Sequence, residues 1–465
     1  MIPIAGCPTA FVEVAPRQAP ALSAAASMRP NCGARDVQRS RFAAGRPMTR
    51  LAAAMWWCLV SLTVAGEPPQ PYLEEPAYKM APHLLGAPDG FRERLAEAGV
   101  TILADNTGFF IGNTNGDFAQ AFDYAGHGDY CAIADGGKLG VHEGLYLKLR
   151  AEHRYGETIV GNVGCFISPT LIADLPVYNS EQVYLTNVLL TQEVTDAFSV
   201  FAGKMDTLDG DMNAFAHGRG KTQFSNMGFI FNPIVGATVP YSTLGAGFVL
   251  HPDDGPMLMV TVLNSTDTTA TSGFDTLFND GMLLSAAVRV PTNWFGRPGH
   301  QLLGGTWNSR TYTSISEAYI PYPNVVTPTI QGSWCLYWNF DQYLFVDPAD
   351  ETRGWGPFGR AGVADPNTSP IDGFLSFGVG GNVLGRTRRD DTFGIGWYYA
   401  STSPQIGTLI TSQFGPIGDG QGIECFYNYE LTRAVRITPD LQYVVPSLRS
   451  AEPALIAGVR TLVSF

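Results

Sequence analysis

An alternation of apolar and polar residues with a period of two constrains the fold of this chain more than any other feature. In the segment 284–290, Leu, Ala and Val at even positions alternate with Ser, Ala and Arg at odd positions. The pattern recurs in segments 145–152, 334–341, 393–399 and 423–431. A period of two is typical of β-strands with one apolar and one polar face. The chain is therefore predicted to be all-β.

Segments of this kind follow one another along the whole C-terminal part of the chain. About sixteen of them fit a spacing of roughly ten residues per strand plus turns, as in transmembrane barrels. Their starts are predicted near residues 99, 120, 144, 182, 197, 237, 256, 281, 300, 332, 355, 373, 391, 420, 435 and 454. The predicted fold is a transmembrane antiparallel up-and-down β-barrel with inward-folded loops. A secreted β-sandwich binding protein stays open as an alternative.

The composition supports contact with an apolar environment. Only 15% of the residues are charged, against about a quarter in typical soluble domains, while 12% are aromatic and 52 are glycine. The 42 acidic and 29 basic residues give a formal net charge of −13. Because phosphate backbones favour basic surfaces, nucleic acid is not an expected partner.

The N-terminal part carries an export signal rather than barrel strands. Residues 1–47 lack periodicity and are interpreted as a non-native upstream extension, with Met48 as the true initiator. Residues 48–66 are predicted to be a secretory signal peptide, because a basic start precedes an apolar run and small residues for cleavage. A membrane anchor is the alternative, although the run is shorter than the roughly 20 apolar residues of a spanning helix.

The mature chain is divided into a linker and a pore. Residues 67–98 are predicted to be a periplasmic linker that ends in a short helix at 90–98, where Asp89 would cap the helix and Gly99 would end it. Residues 99–465 are predicted to be the outer-membrane β-barrel pore. The expected location is the outer membrane of a Gram-negative-type envelope, with outer-membrane lipid around the barrel.

The last strand ends on an aromatic residue. Leu455, Val459 and Phe465 share one face, and Arg460 lies on the other. Since a charge facing lipid is costly at mid-membrane, Arg460 is predicted to face a wet lumen. We interpret Phe465 as an assembly signal for the barrel-assembly machinery, because outer-membrane barrels commonly end on an aromatic residue.

Four segments resemble the carbohydrate-selective porins, the OprB-type family of outer-membrane sugar channels. They are GFRERLAEAGVTILADNTG (90–108), LYLKLRAEHRYGETIVGNV (145–163), GWGPFGRAGVADPNTSPIDGFLSFGV (354–379) and GQGIECFYNYELTRAVRITPDLQYVVP (420–446). The chain departs from the family before the first helix, where Ala87-Pro88-Asp89-Gly90 replaces the usual Trp-Gly-Gly run. The resemblance implies passive diffusion of mono- or oligosaccharides. A general or anion-preferring porin for other small solutes is the alternative.

A sugar channel needs charged groups that bind hydroxyls and aromatic rings that stack on the sugar ring. Residues 156–180 are predicted to fold inwards as a constriction loop, although 164–180 is more apolar than such a loop usually is. Seven residues on predicted lumen faces are candidates for lining the pore: Arg150, Glu152, Arg154, Tyr146, Glu424, Glu430 and Arg460. The first three adjoin the predicted inward loop and are favoured.

A second polar cluster, residues 206–221, is a candidate loop contribution to the pore through Asp209, Asp211, Arg219 and Lys221. The aspartates resemble half of a calcium loop, but Ala214 and Gly220 stand where such a loop needs Gly and Glu. No cofactor and no metal site is therefore predicted, and a loosely bound calcium ion is the alternative.

Other functional signals are weak. Motifs of nucleophilic hydrolases, zinc proteases and P-loop enzymes do not occur, so an enzyme is not predicted. A disulfide between Cys131 and Cys165 stays open for an exported protein. The sequence also leaves the choice between a monomer and a trimer undecided.

Overall fold

The structure is a computed structural model that describes residues 83–84, 90–115, 120–252, 255–316, 328–348, 350–383 and 388–465. The upstream extension, the signal peptide, Asp89 and most of the linker lie outside the described residues. The predicted short helix is present as α1 (Phe91–Glu97), with Gly90 at its N-cap. Gly99 follows the helix with φ of 98°, a conformation that glycine adopts without strain.

Seventeen antiparallel strands form one closed sheet in the described part of the chain. Sixteen of them make the barrel, and β11 is a short addition beside β12. The strands are β1 (Val100–Asn113), β2 (Phe122–Asp135), β3 (Leu145–Gly156), β4 (Tyr184–Thr195), β5 (Phe198–Asp206), β6 (Ser242–Leu250), β7 (Met257–Asn264), β8 (Met282–Trp294), β9 (Arg297–Thr313), β10 (Thr329–Gln342), β11 (Phe345–Asp347), β12 (Asp350–Ala364), β13 (Ile371–Asn382), β14 (Thr392–Thr402), β15 (Gly420–Thr432), β16 (Val435–Val445) and β17 (Ala454–Ser464).

The barrel predicted from the alternation is confirmed. The largest offsets between predicted and observed strand starts are at 237, against Ser242, and at 355, against Asp350. The predicted apolar faces point outwards: Leu336, Ile395 and Ile423 are 56%, 51% and 44% exposed. None of the described helices is long and apolar enough to cross a membrane.

The seam between β1 and β17 closes the barrel. Asp105 lies opposite Ser464 and Asn113 opposite Ile456 in the antiparallel register. The backbone N–H of Phe465 donates to the carbonyl of Ala104 at 2.9 Å. Phe465 therefore continues the seam beyond the last strand residue.

The two ends of the barrel differ in the length of their connections. At the end where Ser464 lies, strands are joined by short turns such as 196–197, 295–296 and 433–434. At the opposite end the connections include 157–183, 207–241, 265–281 and 403–419. We call these the short-turn end and the long-loop end. Short turns on one side and long loops on the other are typical of outer-membrane barrels.

Two of the long connections fold into the barrel and pack against its inner wall. The first inward segment, 157–183, carries a 3-10 helix (Ile159–Asn162) and α2 (Leu171–Asp174). The second inward segment, 207–241, carries α3 (Met227–Ile230) and 3-10 helices at Leu208–Gly210, Gly218–Gly220 and Pro233–Ala237. A further helix, α4 (Thr408–Phe414), lies in the connection before β15.

Both segments bury apolar side chains against the wall. Ile159, Val163 and Ile172 of the first segment pack with Phe109 of β1 and Ile456 of β17. The sequence predicts a constriction loop in the first segment only. The second is longer and contacts more of the wall, so both shape the lumen.

Candidate functional site

A continuous cavity of about 2350 Å³ runs through the barrel beside the two inward segments. Ser314 and Ile406 line it at the long-loop end, whereas His251 and Asn293 line it at the short-turn end. Because one cavity reaches residues at both ends, the inward segments narrow the barrel without filling it.

Arg150 is the centre of a buried ion-pair network between the wall and the second inward segment. Its guanidinium group donates to both carboxylate oxygens of Asp129 at 2.9 Å each, and to Asp206 at 3.1 Å. It also reaches Asp209 of the second segment at 3.4 Å. The Arg150 side chain has no exposed surface and those of Asp129 and Asp206 are 1% exposed, so these two ion pairs are shielded from water.

The second segment contributes two cations of its own to this network. Arg219 donates to Asp206 and Asp209 at 2.8 Å each and to Glu152 at 3.1 Å. Lys221 donates to Asp129 at 2.7 Å and to Asp105 at 2.9 Å. Buried ion pairs add little net stability, but removal of one partner typically costs about 3–5 kcal/mol. The network therefore fixes where the second segment lies.

The backbone conformation around Arg219 places its side chain among the carboxylates of the network. Arg219 has a φ of 49°, in the left-handed region that non-glycine residues rarely adopt. It stands between Gly218 and Gly220, whose φ values of 54° and 74° are also positive. Such a conformation persists only where the surroundings hold it, and the three carboxylates around Arg219 do so.

On its other side the second segment is held by aromatic rings. Phe224 lies 4.6 Å from Phe229, 4.8 Å from Phe426 of β15 and 5.3 Å from Phe358 of β12, measured between ring centroids. Glycine makes room for this cluster, because a Cβ atom added to Gly394 would lie 2.7 Å from the Phe224 ring. Stacked and edge-to-face rings of this kind each add roughly 0.5–1.5 kcal/mol beyond their buried area.

A part of the inner wall that the second inward segment covers only in part is apolar. It runs over β4 to β7, and the cavity is lined there by Leu189, Phe201, Met205, Val249, Met257, Met259 and Leu263. We call these seven residues the apolar strip. The alternation of apolar and polar residues does not predict this strip. The available signal was that β7, MLMVTVLN, is apolar at nearly every position rather than at alternate ones.

Comparison with known proteins agrees with this architecture. Residues 119–465 match the sequence profile of the carbohydrate-selective porin, OprB family. The chain belongs to this family. No curated protein sequence matches it.

Solved structures show the same fold as this porin. The high-pH structure of Pseudomonas putida OprB superposes with a TM-score of 0.72 at 19% identity, covering 83% of this chain and 99% of the other. The low-pH structure of the same protein gives a TM-score of 0.51 at 16% identity, covering 83% and 100%. At this identity the likeness concerns the fold alone.

The three favoured pore-lining candidates do not lie on the surface of the pore. Arg150, Glu152 and Arg154 face inwards, but they are 0%, 0% and 3% exposed. Glu152 accepts hydrogen bonds from the hydroxyl of Tyr241, and Arg154 donates to the carbonyl of Ala173 at 2.8 Å. They do not line the cavity, because the inward segments cover the wall from which they project.

Of the other wall candidates, two are covered by the second inward segment and two lie near the short-turn end. Glu424 is buried and accepts from the backbone N–H groups of Ser225 and Asn226, and Arg460 is buried and donates to the carbonyl of Gly220. Tyr146 and Glu430 are half-buried near the short-turn end, outside the cavity lining. Glu430 pairs with Arg436 at 2.8 Å.

The candidates from the second polar cluster lie closer to the cavity. Asp209, Asp211 and Arg219 line it, and Lys221 does not. Asp211 pairs with Arg360 at 2.9 Å. Within the described residues, no group of three or more His, Cys, Asp or Glu side chains is placed to hold a metal ion. The carboxylates of Asp209 and Asp211 are instead engaged by arginines.

Asp209 is the charged group of the second segment that the cavity reaches best, with 28% of its side chain exposed. Its burial opposes ionisation, but the guanidinium groups of Arg219 and Arg150 hold its pKa well below the ordinary value. The porin therefore presents a carboxylate at this place over the whole physiological pH range.

The disulfide left open in the sequence analysis is not formed. Cys131 and Cys165 are both buried thiols, and the Cys165 thiol donates to the carbonyl of Ile167. Burial raises the pKa of Cys165 to about 12, so this thiol stays protonated at neutral pH.

Proposed function

We propose that this porin is a passive outer-membrane channel for mono- or oligosaccharides. The observation that carries the proposal is the cavity that connects both ends of an OprB-family barrel past two inward segments. Family and fold are those of a channel protein. A solute crosses by diffusion down its own gradient, and the lumen selects among solutes by its shape and side chains.

The lumen offers the hydrogen-bonding groups that sugar hydroxyls need. Asp209, Lys148, Glu193 and Arg289 all line the cavity. A hydrogen bond to such a charged group contributes roughly 1.5–3 kcal/mol before the cost of desolvation. A channel must also release its solute, so we expect millimolar affinity, about −4 kcal/mol. Lining charges of both signs favour a neutral solute over a strongly anionic one.

Export and assembly are part of the same proposal. Residues 48–66 direct the chain across the inner membrane, and Phe465 is recognised by the barrel-assembly machinery before β17 closes against β1. Deletion of Phe465 is expected to lower the yield of folded barrel several-fold in cells. A deletion variant that assembles at the normal rate and yield would remove this role. Outer-membrane lipid surrounds the barrel.

The test is the ion current through the purified porin in a planar bilayer while glucose or a short oligosaccharide is titrated. The expected result is a stable conductance that falls with sugar concentration and saturates in the millimolar range. A conductance that no sugar alters, combined with clear block by small anions, would support the anion-preferring alternative instead.

A further inference from the structure

The lumen of this porin has two chemically different sides where the second inward segment faces the apolar strip. Asp209 and Arg219 line the cavity from the segment, whereas the apolar strip lines it from β4 to β7. The small space between Gly210, Met212, Met257 and Met259 shows that segment and strip approach each other closely. A solute at this level meets charge on one side and methionine and phenylalanine side chains on the other.

The seven residues of the apolar strip belong to one packed cluster, and strand register sets which of them are neighbours. Phe201 of β5 pairs with Gly247 of β6, which pairs with Thr261 of β7. Because Gly247 has no side chain, the Phe201 ring lies against its backbone: a Cβ atom added there would be 2.6 Å from the ring. In the next inward row, Val249 pairs with Met259.

The methionines give the strip its accessible surface. Met257 and Met259 are half-buried, whereas Phe201, Val249 and Leu263 are 9%, 2% and 3% exposed. Methionine is flexible and polarisable, so it adapts to apolar surfaces of different shape. The strip therefore fits a flat apolar face without requiring one particular ring.

We propose that the apolar strip is a binding surface for the apolar face of the permeating carbohydrate, and that it makes the porin prefer glycosides with an apolar aglycone. This inference rests on the proposed function. A pyranose ring has hydroxyls at its edge and C–H groups on its faces, which matches the charged and apolar sides of the lumen. An aryl group at the anomeric oxygen extends the apolar area, so aryl glycosides bind more tightly than the free sugar. An acyclic hexitol has no ring face and binds more weakly.

The experiment measures block of the ion current in planar bilayers by phenyl β-glucoside, glucose and sorbitol. For the unchanged porin we expect phenyl β-glucoside to bind about ten-fold more tightly than glucose, and glucose more tightly than sorbitol. The variant Met257→Gln/Met259→Gln keeps side-chain volume but makes the strip polar. We expect it to weaken binding of phenyl β-glucoside about five-fold and of glucose less than two-fold.

The variant Met257→Leu/Met259→Leu is the matched control, because it keeps the strip apolar. Its binding of phenyl β-glucoside should stay within about two-fold of the unchanged porin. Equal binding of all three solutes, or no difference between the Gln and Leu variants, would overturn the inference. The proposed function would still stand if glucose blocks the current, and it would fail separately if no sugar does.

Discussion

The two inward segments of this porin are held against the wall by different physics. The second segment, 207–241, places Arg219 and Lys221 among four carboxylates of the strands, which they contact at 2.7–3.1 Å; on its other side Phe224 joins an aromatic cluster. The first segment, 157–183, packs aliphatic side chains against β1 and β17. Its buried Asp174 accepts hydrogen bonds from the hydroxyls of Thr158 and Ser168 at 2.8 and 2.7 Å.

Because the attachments differ, the two segments are expected to respond differently to substitution of a charged residue and to ionisation of a buried carboxyl. A buried ion pair fails when one partner is removed, because the other charge is left buried without compensation. A buried carboxyl held by neutral hydroxyls tolerates substitution better but is sensitive to its own ionisation. The second segment is therefore expected to respond strongly to loss of one charged partner, and the first segment to ionisation of Asp174.

The largest effect is expected from Arg219→Ala, which breaks the charged attachment of the second segment. Asp206 and Glu152 would each lose a cation partner, at a cost of about 3–5 kcal/mol. The segment should leave the wall, so the single-channel conductance should become larger and noisier. The folded barrel should also unfold at a lower temperature, measured as the shift of its band on a gel after heating. The control is Arg389→Ala, whose pair with Asp347 is 47% exposed on the arginine side and contributes about 1 kcal/mol or less. Equal behaviour of the two variants would contradict a structural role for the network.

The next largest effect is a pH-dependent loss of stability caused by Asp174 of the first inward segment. Burial raises its pKa to about 6 from an ordinary 3.8, against the hydrogen bonds from Ser168 and Thr158. Because the folded pKa is raised, the stabilising contribution is fully present below pH 3.8. It is lost as the pH rises through about 6, and its full size is roughly 3 kcal/mol.

The variant Asp174→Asn keeps a polar group but does not ionise. The fall in unfolding temperature between pH 4 and pH 7 should therefore be smaller in the variant than in the unchanged porin. If both proteins lose the same stability over this range, the first segment does not carry the pH dependence assigned to it.

The smallest effect is expected at the aromatic attachment of the second segment. Phe224→Leu keeps an apolar side chain but loses ring contacts with Phe229, Phe358 and Phe426, at a cost of about 1–1.5 kcal/mol. Conductance should rise slightly while sugar block persists. Phe377→Leu is the matched control, because Phe377 points outwards and is 52% exposed. A conductance change in the control as large as that in Phe224→Leu would argue against the aromatic attachment.

The barrel could be predicted from the sequence because a period of two assigns each strand residue to a face by local rules. The inward direction of Arg460 and the outward direction of Leu455 follow from parity alone. The family resemblance added the channel function.

The surface of the pore could not be predicted in the same way. Arg150 and Glu152 point inwards as expected, but what covers them is Arg219, more than 60 residues further on. Phe224 and Phe229 lie in a segment without periodicity, so no local pattern places them against Phe358 and Phe426. The apolar strip could not be predicted, because a strand that is apolar on both faces shows no alternation of apolar and polar residues.

The two inward segments are proposed to leave a passage for neutral sugar. The most direct measurement is the swelling rate of liposomes that contain the purified porin, placed in isotonic glucose over a range of concentrations. We expect swelling that depends on the porin and saturates at millimolar to higher glucose concentrations. Swelling no faster than that of liposomes without protein, from a preparation that still conducts small ions, would contradict it.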